Sequence, residues 1–378
     1  MKRRIAFVHD WLTVYSGAER VLEQMFDCFP DSDLFSLIDF VPLESRGFLR
    51  GKKPKTSFLQ RMPFVRKFYR HFLPLMPLAI EQHDFSGYDL VISSSHAVAK
   101  GVLVGPDQLH ICMCYSPIRY AWDLQAQYLK EAGLERGPLS WLARYFLHRI
   151  RIWDARSSDG VDHFIAISKF IGRRIKRTYR RDSTVIYPPV DVSAFTIGER
   201  RDDFYLTSSR MVPYKKMDLI AEAFTQMPSR KLVIIGDGPQ MSKVRAVAGP
   251  NVTVMGYQPH SVLRDHLQRA RGYIFAAEED FGIAPLEAQA CGTPVLAFGK
   301  GGALETIVDG KTGLYFSEQT VESIVATVQR FEALPTPLSN SACRDNAMRF
   351  SPERFRREFI EFVESKWAEF RRERGLPT

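Results

Sequence analysis

The sequence predicts an α/β protein with two doubly wound, Rossmann-like parallel sheets, because short apolar strands alternate with helical segments twice along the chain. At 378 residues the chain also exceeds the size at which one hydrophobic core stops growing, so two domains are expected. We expect an N-terminal domain over 1–192, a C-terminal domain over 193–352 and a final helix over 353–378. The predicted strands are 4–9, 33–38, 89–93, 110–115, 163–167 and 184–187 in the first domain, and 204–207, 231–235, 252–255, 272–276, 294–297 and 313–316 in the second.

A proline-rich segment indicates the domain boundary. Tyr187-Pro188-Pro189-Val190-Asp191 interrupts the strand pattern, and polar residues follow up to Asp203. Near the C-terminus, Ser351-Pro352-Glu353 has the residue types that begin a helix. Apolar residues at helical spacing follow it, namely Phe355, Phe359, Phe362 and Trp367. The pattern therefore predicts an amphipathic final helix.

Composition argues against several classes of protein. Apolar residues make up 45% of the chain, which is enough to fill two cores. The five cysteines are odd in number and include no Cys-x-x-Cys pair, which favours reduced thiols in the cytosol over disulfides or a structural metal. The apolar stretch 5–8 is too short for a secretory signal, and no apolar run approaches the ~20 residues of a membrane span. We therefore expect a cytoplasmic protein.

Two glutamates, Glu279 and Glu287, lie eight positions apart where a predicted strand leads through a glycine loop into a helix. Full extension would separate their carboxylates by roughly 26 Å, but a bend at Gly282 and one helical turn bring both to the edge of one site. Pro285 fits the first turn, where its missing N–H costs nothing. The amides then facing outward at the positive end of the helix are those of Phe281, Gly282, Ile283 and Ala284. Such an end binds phosphate.

Two cations lie on one loop upstream of this helix. Arg210 follows the predicted strand 204–207, and Lys215 follows before an amphipathic helix. Two cations so placed can clamp a diphosphate and stabilise the charge that develops on a leaving group. A solvated basic loop is the alternative interpretation.

Together these motifs resemble the retaining nucleotide-sugar glycosyltransferases of family 4. The resemblance rests on the Glu-x7-Glu spacing, the inner Phe281-Gly282, the following Gly-x-Pro-Val and the later GG-x-x-E-x-x-x-x-G-x-x-G that begins at Gly301. It implies the GT-B fold, in which two Rossmann-like domains face a cleft and the C-terminal helix crosses back to the first domain.

Four pieces of the first domain resemble a narrower group, the bacterial surface-polysaccharide mannosyltransferases. They are VHDWL near the start, SGAERVL at 16–22, GYDLVISSSHAVAKGV at 87–102 and YSPIRYAWD at 115–123. The resemblance implies a metal-independent hexosyltransferase without a cofactor. Its donor would be GDP-mannose and its acceptor a lipid-linked saccharide, in the assembly of a surface polysaccharide such as lipopolysaccharide.

The resemblance also implies roles for residues of the second domain. Arg210 and Lys215 would stabilise the departing diphosphate. Glu279 would hold hydroxyls of the transferred sugar, and Glu287 would hold the ribose. Residues 254–257, which end in Tyr257, would form part of the base pocket.

The first domain supplies further candidates. Gly17, in the loop after the first strand, could admit the donor phosphates closely, although an ordinary strand-to-helix turn explains it equally well. Many relatives carry a histidine where this chain has Tyr115, and a phenol does not charge near neutrality. His96 is a candidate to fill that place, and His9 has the same status. A satisfied structural role is the alternative for each histidine.

Two other motifs are not assigned a site. Asp31-Ser32-Asp33 matches a metal-binding Asp-x-Asp, but it falls between a helix and a strand, where a short polar turn is expected. Gly236-Asp237-Gly238-Pro239 lacks the third glycine of a dinucleotide loop. The resemblance instead places this turn under the donor nucleotide.

The net charge of +9 is unevenly distributed, because 46–71 contains nine Lys and Arg residues and no acidic one. These are Arg46, Arg50, Lys52, Lys53, Lys55, Arg61, Arg66, Lys67 and Arg70, and aromatic residues are interleaved with them. The mixture favours peripheral binding to the anionic inner face of the cell membrane, where a lipid-linked acceptor would be presented. A solvated loop and a nucleic-acid site are the alternatives, but no nucleic-acid module accompanies the charge.

Two other functions stay open at this point. A GT-B sugar-nucleotide epimerase would share the fold and the phosphate clamp but would leave the basic aromatic segment unexplained. A non-catalytic membrane- or nucleic-acid-binding protein would explain the charge but not the glutamate pair and the glycine-rich loops.

Overall fold

The computed structural model describes residues 3–375, which form two compact units. The first unit contains the residues up to Pro188 together with those from Phe355 onward, and the second runs from Pro189 to Arg354. Each unit is built around one parallel sheet with helices, as the alternating sequence pattern predicts.

The sheet of the first unit has seven parallel strands. They are β1 (Ile5–His9), β2 (Asp33–Ser36), β3 (Lys55–Thr56), β4 (Leu90–Ser95), β5 (Leu109–Cys114), β6 (His163–Ala166) and β7 (Ser183–Val185). Their order across the sheet is β3-β2-β1-β4-β5-β6-β7. The helices of this part of the chain are α1 (Gly17–Cys28), α2 (Val65–Phe68), α3 (Met76–Glu81), α4 (Gln125–Glu131), α5 (Pro138–Ser157) and α6 (Lys169–Tyr179). Strands β4 and β5 are buried along their whole length, as expected of central parallel strands covered on both faces.

The sheet of the second unit has six parallel strands. They are β8 (Phe204–Ser208), β9 (Lys231–Ile235), β10 (Val252–Gly256), β11 (Gly272–Phe275), β12 (Val295–Phe298) and β13 (Gly313–Phe316), and their order is β10-β9-β8-β11-β12-β13. The helices are α7 (Met217–Thr225), α8 (Met241–Val247), α9 (His260–Arg269), α10 (Ile283–Ala290), α11 (Ala303–Thr306), α12 (Val321–Glu332) and α13 (Asn340–Met348). The main core joins α7 and α12 to the central strands.

The C-terminal helix α14 (Pro352–Glu373) belongs to the first unit from Phe355 onward. The predicted apolar spacing holds at Phe355 and Phe359, which are fully buried. Further along, the buried positions are Val363 and Phe370, and the predicted Phe362 and Trp367 are only partly buried. The ring of Phe359 packs edge-on against Phe29 with 6.0 Å between centroids. Arg3 fixes the next turns, since it donates to Glu364 at 3.0 Å and lies over the ring of Trp367. The prediction that this helix returns to the first unit is confirmed.

All twelve predicted strands are present, and most of their ends agree within one or two residues. The strand that the sequence analysis missed is β3, which pairs with β2 at the edge of the first sheet. It consists of Lys55 and Thr56 alone. Two residues are too few to show the alternation of a strand, and both are polar. They lie inside the basic segment, whose composition indicated a loop.

No helix among residues 3–375 is both long enough and apolar enough to cross a membrane.

A buried ion pair joins two of the motifs that support the resemblance. Lys100 is 1% exposed, and its Nζ donates to Asp154 Oδ1 at 2.6 Å and to Ser157 Oγ at 2.9 Å. Asp154 also accepts from Trp122 Nε1 at 2.7 Å and from Tyr179 Oη at 2.9 Å. The carboxylate therefore ties the loop after β4, the segment before α4, and helices α5 and α6 together.

We expect this pair to be essential for stability, because removing one partner leaves the other charge buried and uncompensated. Lys100→Met should lower the free energy of unfolding by about 3 kcal/mol in urea denaturation. The matched control, Lys130→Met on the exposed side of α4, should change it by less than about 0.5 kcal/mol. Equal stability of the two variants would contradict this assignment.

Candidate functional site

The strand order of the second sheet places an opening at its carboxyl edge. From β8 the chain continues to β9 on one side, whereas β11, on the other side of β8, continues to β12 away from it. The loops that leave β8 and β11 therefore diverge and leave a crevice, the usual ligand position in an open parallel sheet. The loop after β8 carries Arg210 and Lys215, and the loop after β11 carries Glu279.

The structure brings Lys215 and Glu279 together at this crevice. Lys215 Nζ contacts Glu279 Oε1, and both side chains are about five-sixths buried, at 17% and 18% exposed. The neighbouring Lys216 adopts a left-handed conformation with φ of 55° and makes no such contact. The guanidinium of Arg210 is exposed and has no hydrogen-bond or ion-pair partner within 3–375. Its positive charge is therefore available to a ligand.

Two glycines bring a third loop against the glutamate. The amide of Gly302 donates to the carbonyl of Glu279 at 2.7 Å. A Cβ atom on Gly302 would lie 2.3 Å from Cα of Phe281, and one on Gly301 would lie 2.4 Å from the carbonyl oxygen of Glu279. Any larger side chain would displace the backbone that carries Glu279, which explains the Gly-Gly pair of the sequence motif.

The turn Gly236-Asp237-Gly238 supports the loop of Arg210 in the same way. Met211 donates its amide to the carbonyl of Asp237 at 2.8 Å. A Cβ on Gly236 would lie 1.9 Å from the carbonyl oxygen of Ser209. These glycines therefore serve close packing of two backbone segments.

Helix α10 begins at the crevice with uncapped amides. Gly282, with φ of 93°, precedes the helix and provides no side-chain cap. The amides of Gly282, Ile283 and Ala284 have no acceptor within the described part of the chain. They provide partial positive charge beside Lys215 and Glu279. Glu287 lies one turn into the helix and is 7% exposed.

A buried tyrosine fixes the floor of the crevice. Tyr273 Oη on β11 donates to the carbonyl of Ser208 at 2.8 Å and accepts from the amide of Ser208 at 3.2 Å. Burial raises the pKa of Tyr273, and the charges of Glu287 and Glu279 raise it further. The phenol stays neutral and holds the ends of β8 and β11 at a fixed separation.

Tyr257 follows β10 at the same carboxyl edge, with most of its side chain exposed. Strand β9 lies between β10 and β8, so Tyr257 is set apart from the Lys215–Glu279 pair. Its predicted place in a base pocket remains a prediction.

The first sheet has an equivalent opening between β1 and β4, and it contains Asp10 and His96. The Asp10 carboxylate is fully buried and accepts four amides, from His96 at 2.7 Å, Ala97 at 3.0 Å, Val98 at 2.6 Å and Ala99 at 2.6 Å. His96 Nδ1 lies 2.9 Å from Asp10 Oδ2, and the His96 side chain is 33% exposed. Sequence analysis did not assign Asp10 a role, although its place directly after a first strand was a signal.

The two side chains shift each other's pKa. Burial opposes ionisation of Asp10, but the charge of His96 and hydrogen bonds from His96 lower the pKa of Asp10 to about 2. Burial likewise opposes protonation of His96, but the adjacent Asp10 carboxylate raises its pKa above the ordinary histidine value. The pair therefore favours an imidazolium with one exposed edge.

Tyr115 and His9 belong to a buried network instead. Tyr115 Oη donates to the carbonyl of Ala18 at 3.1 Å and lies 2.9 Å from Ser94 Oγ. His9 Nδ1 lies 2.9 Å from the same Ser94 Oγ, and its Nε2 lies 3.4 Å from Glu19. Burial raises the pKa of Tyr115. These contacts favour a structural role for Tyr115 and His9 and leave His96 as the histidine with an accessible ring.

Gly17 is the first residue of α1 and does not lie in the preceding loop, so its predicted placement was wrong by one residue. The helix begins earlier because Ser16 caps it. Glu19 Oε2 accepts from the amide of Ser16 at 3.1 Å and from its hydroxyl at 2.8 Å. Gly17 still follows β1 at the carboxyl edge of the sheet.

The Asp-x-Asp sequence forms a structural turn. Asp33 begins β2 and accepts from Lys55 Nζ at 3.2 Å and from the hydroxyl of Tyr88. In the region that the structure describes, no three His, Cys, Asp or Glu side chains are grouped so as to hold a metal ion.

The basic segment divides into a tethered part and an exposed part. Arg46 donates to Asp39 at 2.7 Å, Arg50 to Asp27 at 2.9 Å, and Lys52 to the carbonyl of Ser32 at 2.6 Å. Four basic residues further along are exposed, namely Arg61, Arg66, Lys67 and Arg70. Charge available to a partner is thus concentrated in the second part.

Residues 195–349 match the family model described as glycosyl transferases group 1. A GDP-mannose-dependent alpha-(1-6)-phosphatidylinositol monomannoside mannosyltransferase of Mycolicibacterium smegmatis is 32% identical over 141 residues, which is 32% of this chain and 36% of the relative. A GDP-mannose-dependent monoacylated alpha-(1-6)-phosphatidylinositol monomannoside mannosyltransferase of Corynebacterium glutamicum is 30% identical over 213 residues, which is 48% of this chain and 55% of the relative. The matches thus span about a third to just over half the length of these relatives.

Solved structures resemble the whole chain. A sucrose-phosphate synthase from Thermosynechococcus elongatus superposes with a TM-score of 0.74 at 17% identity, covering 97% of this chain and 100% of that one. At this identity the likeness shows the fold alone, and that fold is GT-B.

We expect the Asp10–His96 pair to make stability depend on pH. The pKa of His96 is raised from 6.5, so its contribution is fully present below that pH and is lost as pH rises through the raised pKa. Asp10 and Glu19 favour the charged ring, and Arg119 opposes it. The free energy of unfolding of the wild type minus that of His96→Asn, measured in urea, should therefore fall as the pH rises above about 6.5.

His148→Asn is the matched control, because His148 is exposed on α5 and has no carboxylate partner in 3–375. The free energy of unfolding of the wild type minus that of His148→Asn should stay constant over the same pH range. A flat difference for His96→Asn as well would show that the pKa of the ring is the same in the folded and the unfolded protein, and a difference that rises with pH would show that the folded protein keeps the ring neutral.

Proposed function

Because residues 195–349 match the family model of the group 1 glycosyl transferases, we propose that this protein is a retaining, metal-independent hexosyltransferase. Its donor is GDP-mannose and its acceptor a lipid-linked saccharide used in surface-polysaccharide assembly. The observation that carries the proposal is the Lys215–Glu279 pair at the crevice between β8 and β11. The names of the mannosyltransferase relatives support the choice of donor and a lipid-borne acceptor.

The donor diphosphate would lie among three sources of positive charge. Arg210 is exposed and unpaired within the described residues, Lys215 is beside it on the same loop, and the uncapped amides of α10 face the same crevice. Negative charge grows on the diphosphate as the sugar leaves, and groups already in place stabilise that charge without reorganisation. Phe281 would contribute to the wall beside the amides, because its ring is buried directly before Gly282.

The two glutamates would bind neutral parts of the donor. Glu279 is placed to accept hydrogen bonds from hydroxyls of the hexose once Lys215 turns to the diphosphate, and Glu287, one turn into α10, would accept from the ribose. Neither is assigned as a general base. The acceptor hydroxyl would attack from the face that the diphosphate leaves, and a donor phosphate oxygen would take its proton.

The first unit would bind the acceptor. His96, held by Asp10 with one edge exposed, would donate a hydrogen bond to the transferred sugar or to an anionic group near it. Gly17 would allow close approach at the neighbouring end of α1. The exposed basic residues between Arg61 and Arg70 would meet an anionic lipid surface on the cytoplasmic side of the membrane.

The donor can be identified by thermal denaturation with a panel of nucleotide sugars. GDP-mannose should raise the melting temperature more than UDP- or ADP-sugars do, because a ligand that binds only the folded state stabilises it. Incubation with GDP-mannose and no acceptor then separates a transferase from an epimerase. An epimerase would convert the sugar nucleotide without an acceptor, whereas the proposed enzyme would not.

Arg210→Ala and Lys215→Ala should slow transfer far more than they affect folding. Losing one preorganised charge costs about 2.7–4 kcal/mol of transition-state stabilisation, or about a hundredfold or more in kcat. Because Arg210 is exposed, its variant should keep wild-type stability within about 0.5 kcal/mol.

Arg245→Ala on α8 is the matched control, since it removes an exposed arginine of the same unit away from the crevice. It should retain the wild-type kcat. Wild-type turnover by Arg210→Ala with a nucleotide sugar would remove this residue from the proposed machinery.

Transfer should not require a divalent metal, because arginine, lysine and amide groups meet the phosphate charge. Treatment with a chelator should leave kcat unchanged. The Asp33→Asn variant should lose stability in urea, since Asp33 bonds Lys55 and Tyr88, but should keep its activity. Strict dependence on added manganese or magnesium would contradict the proposed mechanism.

A further inference from the structure

The first half of α5 exposes large apolar side chains to solvent. Trp141 is 79% exposed, Leu139 67% and Tyr145 56%. Leu142 and Phe146 are also exposed, whereas Ser140 is the one fully buried residue in the first three turns. A continuous patch of this kind on a protein surface marks an interaction site. Sequence analysis missed it, because apolar residues at helical spacing predict a buried face.

The charge on α5 is positive. Arg144, Arg149 and Arg156 are exposed, and Asp154, the helix's one acidic residue, is buried against Lys100. The helix therefore presents aromatic and aliphatic side chains at one end with arginines among and after them. Tryptophan and tyrosine prefer the membrane–water interface, and arginine there meets lipid phosphates.

The helix adjoins the exposed part of the basic segment. Leu147 of α5 and Leu73, which follows that segment by two residues, pack on the same small core, which contains Ile118, Ala121 and Ile150. The segment exposes its own apolar residue, Phe64, at 77% in a left-handed conformation with φ of 61°. Such a conformation is costly for an aromatic residue, and it turns the ring outward between Arg61 and Arg66.

We propose that the first half of α5 is a membrane-docking helix, which inserts Leu139, Trp141, Leu142 and Tyr145 into the interface of an anionic bilayer. The exposed basic residues of 61–70 form the electrostatic part of the same surface. This inference deepens the proposed function, since it names how the enzyme would reach a lipid-borne acceptor. Only the purpose of the membrane contact, not the contact itself, rests on the proposed function.

A bilayer fits the exposed face of α5 better than a second copy of the chain or a nucleic acid does. A two-fold contact between copies would pack together two helices that each expose arginines and no acidic residue, which like charge disfavours. A nucleic acid would use the basic residues but would leave Leu139 and Leu142 in water. An anionic interface accommodates both the charge and the apolar side chains.

The test uses the full chain with vesicles of phosphatidylcholine alone or mixed with phosphatidylglycerol, and no donor. The variant Trp141→Ser/Leu142→Ser/Tyr145→Ser should bind mixed vesicles about tenfold or more weakly than the wild type. The control Leu304→Ser removes an exposed leucine from α11 in the other unit and should bind like the wild type. The wild type should bind phosphatidylcholine alone weakly, because the electrostatic part is lost.

Tryptophan fluorescence reports insertion directly. The chain has five tryptophans, and Trp141 is the most exposed of them, so mixed vesicles should shift the wild-type emission to shorter wavelength. Trp141→Phe should bind equally well but show no shift. Neither readout uses turnover, so failure of the proposed transferase activity would leave both results unchanged.

Three outcomes would overturn the proposal. Vesicle binding by the triple variant equal to that of the wild type would exclude α5 from the membrane contact. Concentration-dependent dimerisation without lipid, abolished by the triple variant, would assign the helix to a contact between copies. Tight binding to an oligonucleotide that is lost in the triple variant would assign it to nucleic acid.

Discussion

The reversal of strand order next to the first strand of each sheet is the constraint on which the candidate sites depend. In a parallel sheet the chain must cross back after every strand, and where it turns to the opposite side, two neighbouring loops diverge. This happens between β1 and β4 and again between β8 and β11. Asp10 and His96 follow the first pair of strands, and Arg210, Lys215 and Glu279 follow the second. The side chains at the two openings differ, but in both sheets the strand order determines where they lie.

Backbone contacts, more than side-chain bulk, hold the loops around these openings. Asp10 collects four consecutive amides, so the turn that carries His96 cannot move without breaking several charge-assisted hydrogen bonds. In the second unit, Gly236 and Gly302 let neighbouring loops approach to distances that no Cβ would permit. Tyr273 joins the ends of two strands through the backbone of Ser208. Preorganisation of this kind keeps charged groups in place in an otherwise open crevice.

The sequence predicts most of the fold because the strands are apolar and bounded by turn residues. It singles out Lys215 and Glu279 separately, and the contact between them is seen only in the structure. It does not predict β3, whose two polar residues carry no period. The sequence does not show whether Tyr115 or His96 is available to a ligand. Three-dimensional packing decides this, because Tyr115 bonds Ser94 whereas His96 keeps an exposed edge. The sequence analysis likewise assigned no role to the segment of α5, where Trp141 is in solvent. Periodicity reports which side chains share a face but not what covers that face.

The contact between Lys215 and Glu279 bears on which anions the crevice would accept under the proposed function. A tethered carboxylate acts as an internal anion at high effective concentration, so it competes with any external anion for the lysine. Inorganic phosphate or a free nucleotide would have to displace the carboxylate from the lysine and has no sugar hydroxyls to bond the glutamate. Under the proposed function, a sugar nucleotide would supply both a diphosphate for the lysine and hydroxyls for the glutamate. The pair would then disfavour binding of small anions at the crevice and favour a ligand that has both a diphosphate and hydroxyl groups.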